Sequence, residues 1–117
     1  MQDFKKLLVW QKAHELALLT YRLTADFPRD EIFGLRNSLR KTSVDIPAFI
    51  AEGCGKLTNS ESARAIVGAV ALANRLEYYS IMARDLGMLS DDGYDTEVGV
   101  VVEVRKMLSG FAKKLES

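Results

Sequence analysis

With 117 residues the chain has length for one domain around one core, and not for two. Its 16 Lys and Arg balance its 16 Asp and Glu, so a formal net charge of zero excludes a generic polyanion binder, and a hydrophobic share of 48% excludes a disordered chain. The lone cysteine, Cys54, excludes an internal disulfide and a cysteine-based metal cluster within one chain, and predicts a reducing, cytoplasmic setting.

The opening segment, MQDFKKLLVWQKAHE, sets charge beside and within its apolar residues and so has no uninterrupted leader core. A first helix is predicted over about residues 3–25. Val9, Ala13, Leu16, Thr20 and Leu23 form its apolar stripe, and Lys5, Lys6, Lys12, Glu15 and Arg22 its solvated surface. Asp26-Phe27-Pro28 ends it, because a proline pushes the preceding residue out of the helical region and itself suits the first turn of a new helix. The second helix is therefore predicted to begin within 28–31 and to reach about residue 52, where Gly53-Cys54-Gly55 stops it.

Leu35, Leu39, Ser43, Ile46, Ile50 and Gly53 follow one another at spacings of three or four along that helix, the seam of a packed helix. Pro47 sits inside the seam, where a proline costs roughly 3 kcal/mol. Packing is expected to offset that cost, with the hydroxyl of Thr42 or Ser43 taking a freed carbonyl and Pro47 kinking the helix. A third helix is predicted over about 58–86, opened by the capping box Thr58-Asn59-Ser60-Glu61 and ended by Gly87. Its middle, AIVGAVALA at 65–73, is apolar and small on every side, too short for a membrane span and too apolar for one bundle face. A subunit interface is the expected cover for its outer side. The fourth helix opens at Leu89-Ser90-Asp91-Asp92. Its VGVVVEV stretch, 98–104, reads as a strand alone, but Val101, Val104, Leu108, Phe111 and Leu115 keep helical spacing over about four turns. The expectation is an all-α, antiparallel up-down-up-down four-helix bundle forming one domain over residues 1–117.

The string from Phe33-Gly34-Leu35 to Ile46-Pro47-Ala48-Phe49-Ile50-Ala51-Glu52-Gly53 resembles the signature of the 23S rRNA intervening-sequence proteins, and Phe4, Leu7 and Val9-Trp10-Gln11-Lys12-Ala13 resemble that family's opening. Members are often encoded within large-subunit ribosomal RNA genes. Related accessory proteins of diversity-generating retroelements form pentameric barrels that bind a reverse transcriptase and nucleic acid. The resemblance implies a four-helix bundle, a homopentamer, and a scaffold role with RNA, DNA or a reverse transcriptase as possible partners. The chain departs from the family pattern on the signature helix: Asp45 replaces the usual serine, Phe49 the usual asparagine, Ser38 a common glutamine, and Lys41-Thr42 a common arginine-alanine.

Arg36, Arg40 and Lys41 with Lys56 are the candidate phosphate contacts, since Arg36 and Arg40 stand one turn apart; the competing reading is a solvated face neutralised by Asp45 and Glu52. Tyr78 and Tyr79 could stack on bases, but the spacing of Tyr79 with Leu72 and Leu86 points to core or interface. Glu52 opposes the dipole near a helix end, which a hydrogen bond from a neighbouring helix or subunit would explain. The sole histidine, His14, follows Gln11 rather than a glutamate, so the Glu-x-x-His pairs of a bundle metal site are missing. Asp91-Asp92-Gly93-Tyr94-Asp95 has the wrong spacing for a calcium loop and reads as a helix start, and Cys54 has no local base to activate it. No cofactor, metal or catalytic residue is expected. The predicted role is interaction, not chemistry.

Overall fold

A computed structural model of the protein describes residues 2–31 and 33–117; Met1, in the expected leaderless opening, and Ile32, in the expected second helix, lie outside the described residues. The described residues form helices α1 (Leu8–Leu23), α2 (Leu35–Cys54), α3 (Asn59–Asp85) and α4 (Asp91–Glu116), with short 3-10 turns at Phe4–Lys6 and Arg29–Glu31. In sequence order each helix packs on the next, and α4 returns to α1, while α1 and α3, and α2 and α4, face each other across the core. This is the antiparallel four-helix bundle. At about 1.5 Å per residue, the 27 residues of α3 account for most of the 43 Å long axis.

The predicted stripes meet at the centre. Leu16 of α1, Leu39, Ile46 and Ile50 of α2, Ile66 and Leu76 of α3, and Val101, Val104 and Leu108 of α4 are all buried. Each such side chain contributes roughly 1.5–3 kcal/mol on leaving water. The VGVVVEV stretch is helical throughout, because two of its valines, Val101 and Val104, complete a face continued by Leu108 and Ala112.

Two helix starts differ from the sequence expectation. The first helix does not begin near residue 3: the Asp3 side chain accepts the Lys5 N–H at 3.1 Å, closing a separate turn, and Leu7 is extended before α1 begins. Phe4 then lies edge-on to Trp10 with ring centroids 5.1 Å apart. The second helix does not begin within 28–31. Arg29–Glu31 is only a 3-10 turn, and the Glu31 carboxylate accepts the Leu35 N–H at 2.7 Å, so α2 starts at Leu35 with Gly34 in the capping position. A Cβ at Gly34 would come within 2.6 Å of Glu31 Oε2, the atom that makes this cap.

The remaining ends follow their residues. Thr58 Oγ1 accepts the Glu61 N–H at 3.1 Å, but the Glu61 carboxylate accepts the Thr58 hydroxyl instead of reaching back to a backbone donor, so half of the expected capping box forms. Gly87 alone among the described residues has positive φ, 76°, and the Met88 N–H reaches the Ala83 carbonyl at 2.9 Å, closing α3. Ser90 caps α4 by accepting the Gly93 N–H.

α2 runs as one continuous helix through the buried Pro47. The Ser43 hydroxyl donates to the Arg40 carbonyl at 2.9 Å, not to a carbonyl freed by the proline. Burial of Ile46, Pro47 and Ile50 supplies the packing that holds the helix there.

Candidate functional site

The signature residues of α2 build two features. At the N-terminal end, Leu35 packs against the core while Phe33 is 94% exposed. At the C-terminal end Gly53 touches α3: a Cβ there would stand 3.3 Å from Ala65 Cβ and 3.4 Å from Ile66 Cδ1, and the Ser62 hydroxyl of α3 donates to the Gly53 carbonyl at 2.8 Å. A free carbonyl at a helix end is thus bound by the next helix. Ala51 is half-buried, and the exposed Glu52 carboxylate accepts no hydrogen bond among the described residues, which therefore supply no neighbouring-helix partner for it.

The candidate phosphate contacts separate into two places. Arg36, Arg40 and Lys41 converge with Tyr21, Asn37, Val44 and Asp45 around a depression of about 460 Å³ on the α1–α2 face. Lys56 instead lines a depression of about 320 Å³ with Phe49, Glu52, Glu61, Arg64 and Ala65 on the α2–α3 face. The loop after α2 carries Lys56 away from the arginines, which lie several turns back along the helix.

Within the first depression the cations differ in freedom. Arg40 Nε donates to Thr24 Oγ1 at 2.9 Å and Nη2 to the Tyr21 carbonyl at 3.2 Å, and its guanidinium lies 4.4 Å from the Tyr21 ring centroid. This arginine holds the C-terminal turn of α1, where a cation also suits the helix dipole. Lys41 pairs with Asp45 at 3.3 Å. Among the described residues Arg36 has no ion pair. The site therefore presents one uncommitted guanidinium beside a Tyr–Arg stack.

α3 divides its apolar centre between two environments. Ile66, Ala69, Leu72 and Ala73 are in the core, while Val67, at 51% exposed, Ala71 and Tyr78, at 56%, face outward. Tyr79 packs at the core margin, as its spacing predicted. Phe49 fills the notch left by Gly68: a Cβ at Gly68 would meet its ring at 2.9 Å. The aromatic that departs from the family pattern is thus matched to a glycine one helix away.

At the opposite end, Gln2, Cys54, Ser62, Phe111 and Lys114 help line a hollow of about 490 Å³. Burial pushes the Cys54 thiol above its ordinary range, with the Asp3 carboxylate adding to the push, so the thiol is held in its unreactive form. No group of three or more His, Cys, Asp and Glu is placed to hold a metal among the described residues.

One buried acid escaped the sequence reading. Glu97 is 2% exposed on the inner face of α4, and its Oε2 lies 2.7 Å from Thr20 Oγ1 of α1, while Oε1 has no partner among the described residues. Its signal was position: Glu97 stands one turn before Val101 on the stripe that continues through Val104 and Leu108, so the periodicity puts a carboxyl in the core.

The family profile described as 23S rRNA-intervening sequence protein matches residues 5–110. A crystal structure of a protein of unknown function from the S23 ribosomal protein family of Bacteroides thetaiotaomicron superposes with a TM-score of 0.81 at 18% identity, over 91% of this chain and 99% of that one, a likeness of fold. No curated protein sequence matches the chain. The bundle, the α2 signature and the profile match over most of its length agree: the chain belongs to the 23S rRNA-intervening sequence protein family.

Proposed function

We propose that the chain is a non-enzymatic, cytoplasmic, homo-oligomeric adaptor, a pentamer by its family resemblance, that binds nucleic acid or a nucleic-acid enzyme through the α1–α2 face. The observation that carries the nucleic-acid reading is the convergence of Arg36, Arg40 and Lys41 beside Tyr21 on one exposed depression of a protein with no net charge. Guanidinium groups suit phosphate oxygens, and a tyrosine ring suits a base face. The outward Val67, Ala71 and Tyr78 of α3 support the oligomer reading, since apolar side chains left by the bundle are what a second copy would cover. The adaptor role rests on interaction surfaces, since among the described residues no convergent acid, base and nucleophile occupy one depression. No helix among the described residues is long and apolar enough to cross a membrane.

Light-scattering mass on nuclease-treated protein, with and without structured RNA at low salt, tests both parts. The expected result is a particle near five protomers that gains mass with RNA. Arg36→Glu should weaken that gain and lower its salt slope by at least about one, while leaving the oligomer intact. Arg36 is the cleaner probe because reversing Arg40 would also break its bonds to Thr24 and Tyr21.

The in-chain commitments of Arg40 and Lys41 favour a second reading, an oligomer that binds a protein partner and no nucleic acid. Under it, RNA leaves the mass unchanged and Arg36→Glu is silent. A monomer would remove both readings.

A further inference from the structure

We propose that Glu97 is a proton-binding site built into the core: it folds as the neutral acid, donating its proton to Thr20, and the bundle loses stability as that proton leaves. The geometry favours the proton. Thr20 Oγ1 lies 2.9 Å from the Leu16 carbonyl and 2.7 Å from Glu97 Oε2, and a hydroxyl has one hydrogen to give. If Glu97 were ionised, the single hydroxyl hydrogen would leave one of these two short oxygen–oxygen contacts without a proton, and the carboxylate would keep a buried, unpaired Oε1. With the proton on Glu97 both bonds are made, Glu97 O–H to Thr20 Oγ1 and Thr20 O–H to the Leu16 carbonyl. The remaining oxygen, Oε1, is then the carbonyl of a neutral acid, far cheaper to leave unpaired than half of a carboxylate.

No charge on the surrounding helices offers compensation. On α1, Lys12 pairs with Glu103, farther along α4; on α2, Arg40 is held by Thr24 and the Tyr21 carbonyl. On α3, Arg84 pairs with Asp85 and lies over the Tyr94 ring, and Glu77 binds Arg105. On α4 itself Asp91, Asp92 and Asp95 are exposed near the helix start, and Asp91 and Asp92 lie in its first turn. The buried hydroxyls of Ser43 and Ser80 already donate to carbonyls of their own helices. In agreement, burial pushes the Glu97 carboxyl up to about 7.

The direction of the pH dependence follows. The unfolded chain ionises Glu97 near 4.5, the folded chain near 7. Below 4.5 both states hold the proton and the stabilisation is complete; between the two values only the folded state holds it, so the folding constant falls by about tenfold per pH unit; above 7 both have lost it. Across the window the loss is about two orders of magnitude.

Denaturant unfolding of the full chain and of Glu97→Gln at pH 5 and pH 8 tests this. The Gln amide donates to Thr20 as the neutral acid does, and cannot ionise. The ratio of the variant's folding constant to that of the unaltered chain should rise about 100-fold from pH 5 to pH 8. A ratio that does not change with pH would overturn the proposal. Should Glu97→Gln not fold, carboxyl-carbon NMR of the unaltered chain decides: a Glu97 midpoint between pH 6 and 8 supports the assignment, and a midpoint below 5 overturns it.

Discussion

The α2–α3 seam and the α1–α4 seam belong to one bundle and bury their faces by opposite means. Between α2 and α3 the backbones approach closely at Gly53, a large aromatic fills the notch at Gly68, and a cross-helix polar bond, Ser62 to the Gly53 carbonyl, meets a carbonyl that needs a donor. Between α1 and α4 a hydroxyl and a carboxyl face each other inside the core, and one oxygen is left over. Dispersion and apolar burial carry the first seam, so its strength varies little with pH. The second depends on a proton, so its strength varies with pH. A bundle therefore need not be uniformly robust: a single polar pair makes one of its seams conditional.

The largest effect should come from emptying the first seam. Ile66→Ala removes a fully buried side chain that packs beside Gly53, and should lower stability by about 2–5 kcal/mol in urea unfolding at any pH between 5 and 8. A loss that appeared only at one end of that range would break the contrast between the seams.

Next in size is the polar pair. Thr20→Val removes the acceptor of the Glu97 proton and should destabilise by about 1–3 kcal/mol, whereas Thr20→Val combined with Glu97→Leu should recover most of that loss, because two apolar groups of similar shape leave nothing unsatisfied. The double variant should also lose the pH dependence. Equal destabilisation in single and double variants would mean that the pair contributes by packing alone.

The smallest effects distinguish glycines by what stands over them. Gly68→Ala drives a Cβ into the Phe49 ring and should be destabilising by about 1 kcal/mol, after its better helix propensity is counted. Phe49→Ala should reverse that sign. Gly99 and Gly110 of α4 have open space where a Cβ would stand, so Gly99→Ala and Gly110→Ala should each stabilise by about 0.5–1 kcal/mol in thermal unfolding. A destabilised Gly99→Ala would reveal another copy packed on the outer face of α4, and would sharpen the oligomer proposal.

Much of this was legible in the residues. Local rules act over a few positions, so Gly87, Ser90 and the Thr58 hydroxyl marked their helix ends correctly, and the 3.6-residue period turned the valine-rich VGVVVEV into a helix. The two misplaced starts turn on side chains that reach backwards or forwards to the backbone, Asp3 to Lys5 and Glu31 to Leu35, choices that Pro28 and the apolar stripe do not encode.

The candidate site divides the same way. That Arg36 and Arg40 share a face follows from helical spacing alone; that Arg40 is already bonded to Thr24 and Tyr21 of another helix, and that Lys56 lies elsewhere, depends on how helices pair and where a loop turns. By itself the sequence determined the bundle, its helices and its family, because periodicity and capping are local. Only the tertiary structure decided that Phe49 meets Gly68, that Ser62 binds Gly53, and that Glu97 faces Thr20 across 77 positions, because contacts at long separation are set by how four helices fit together around one core.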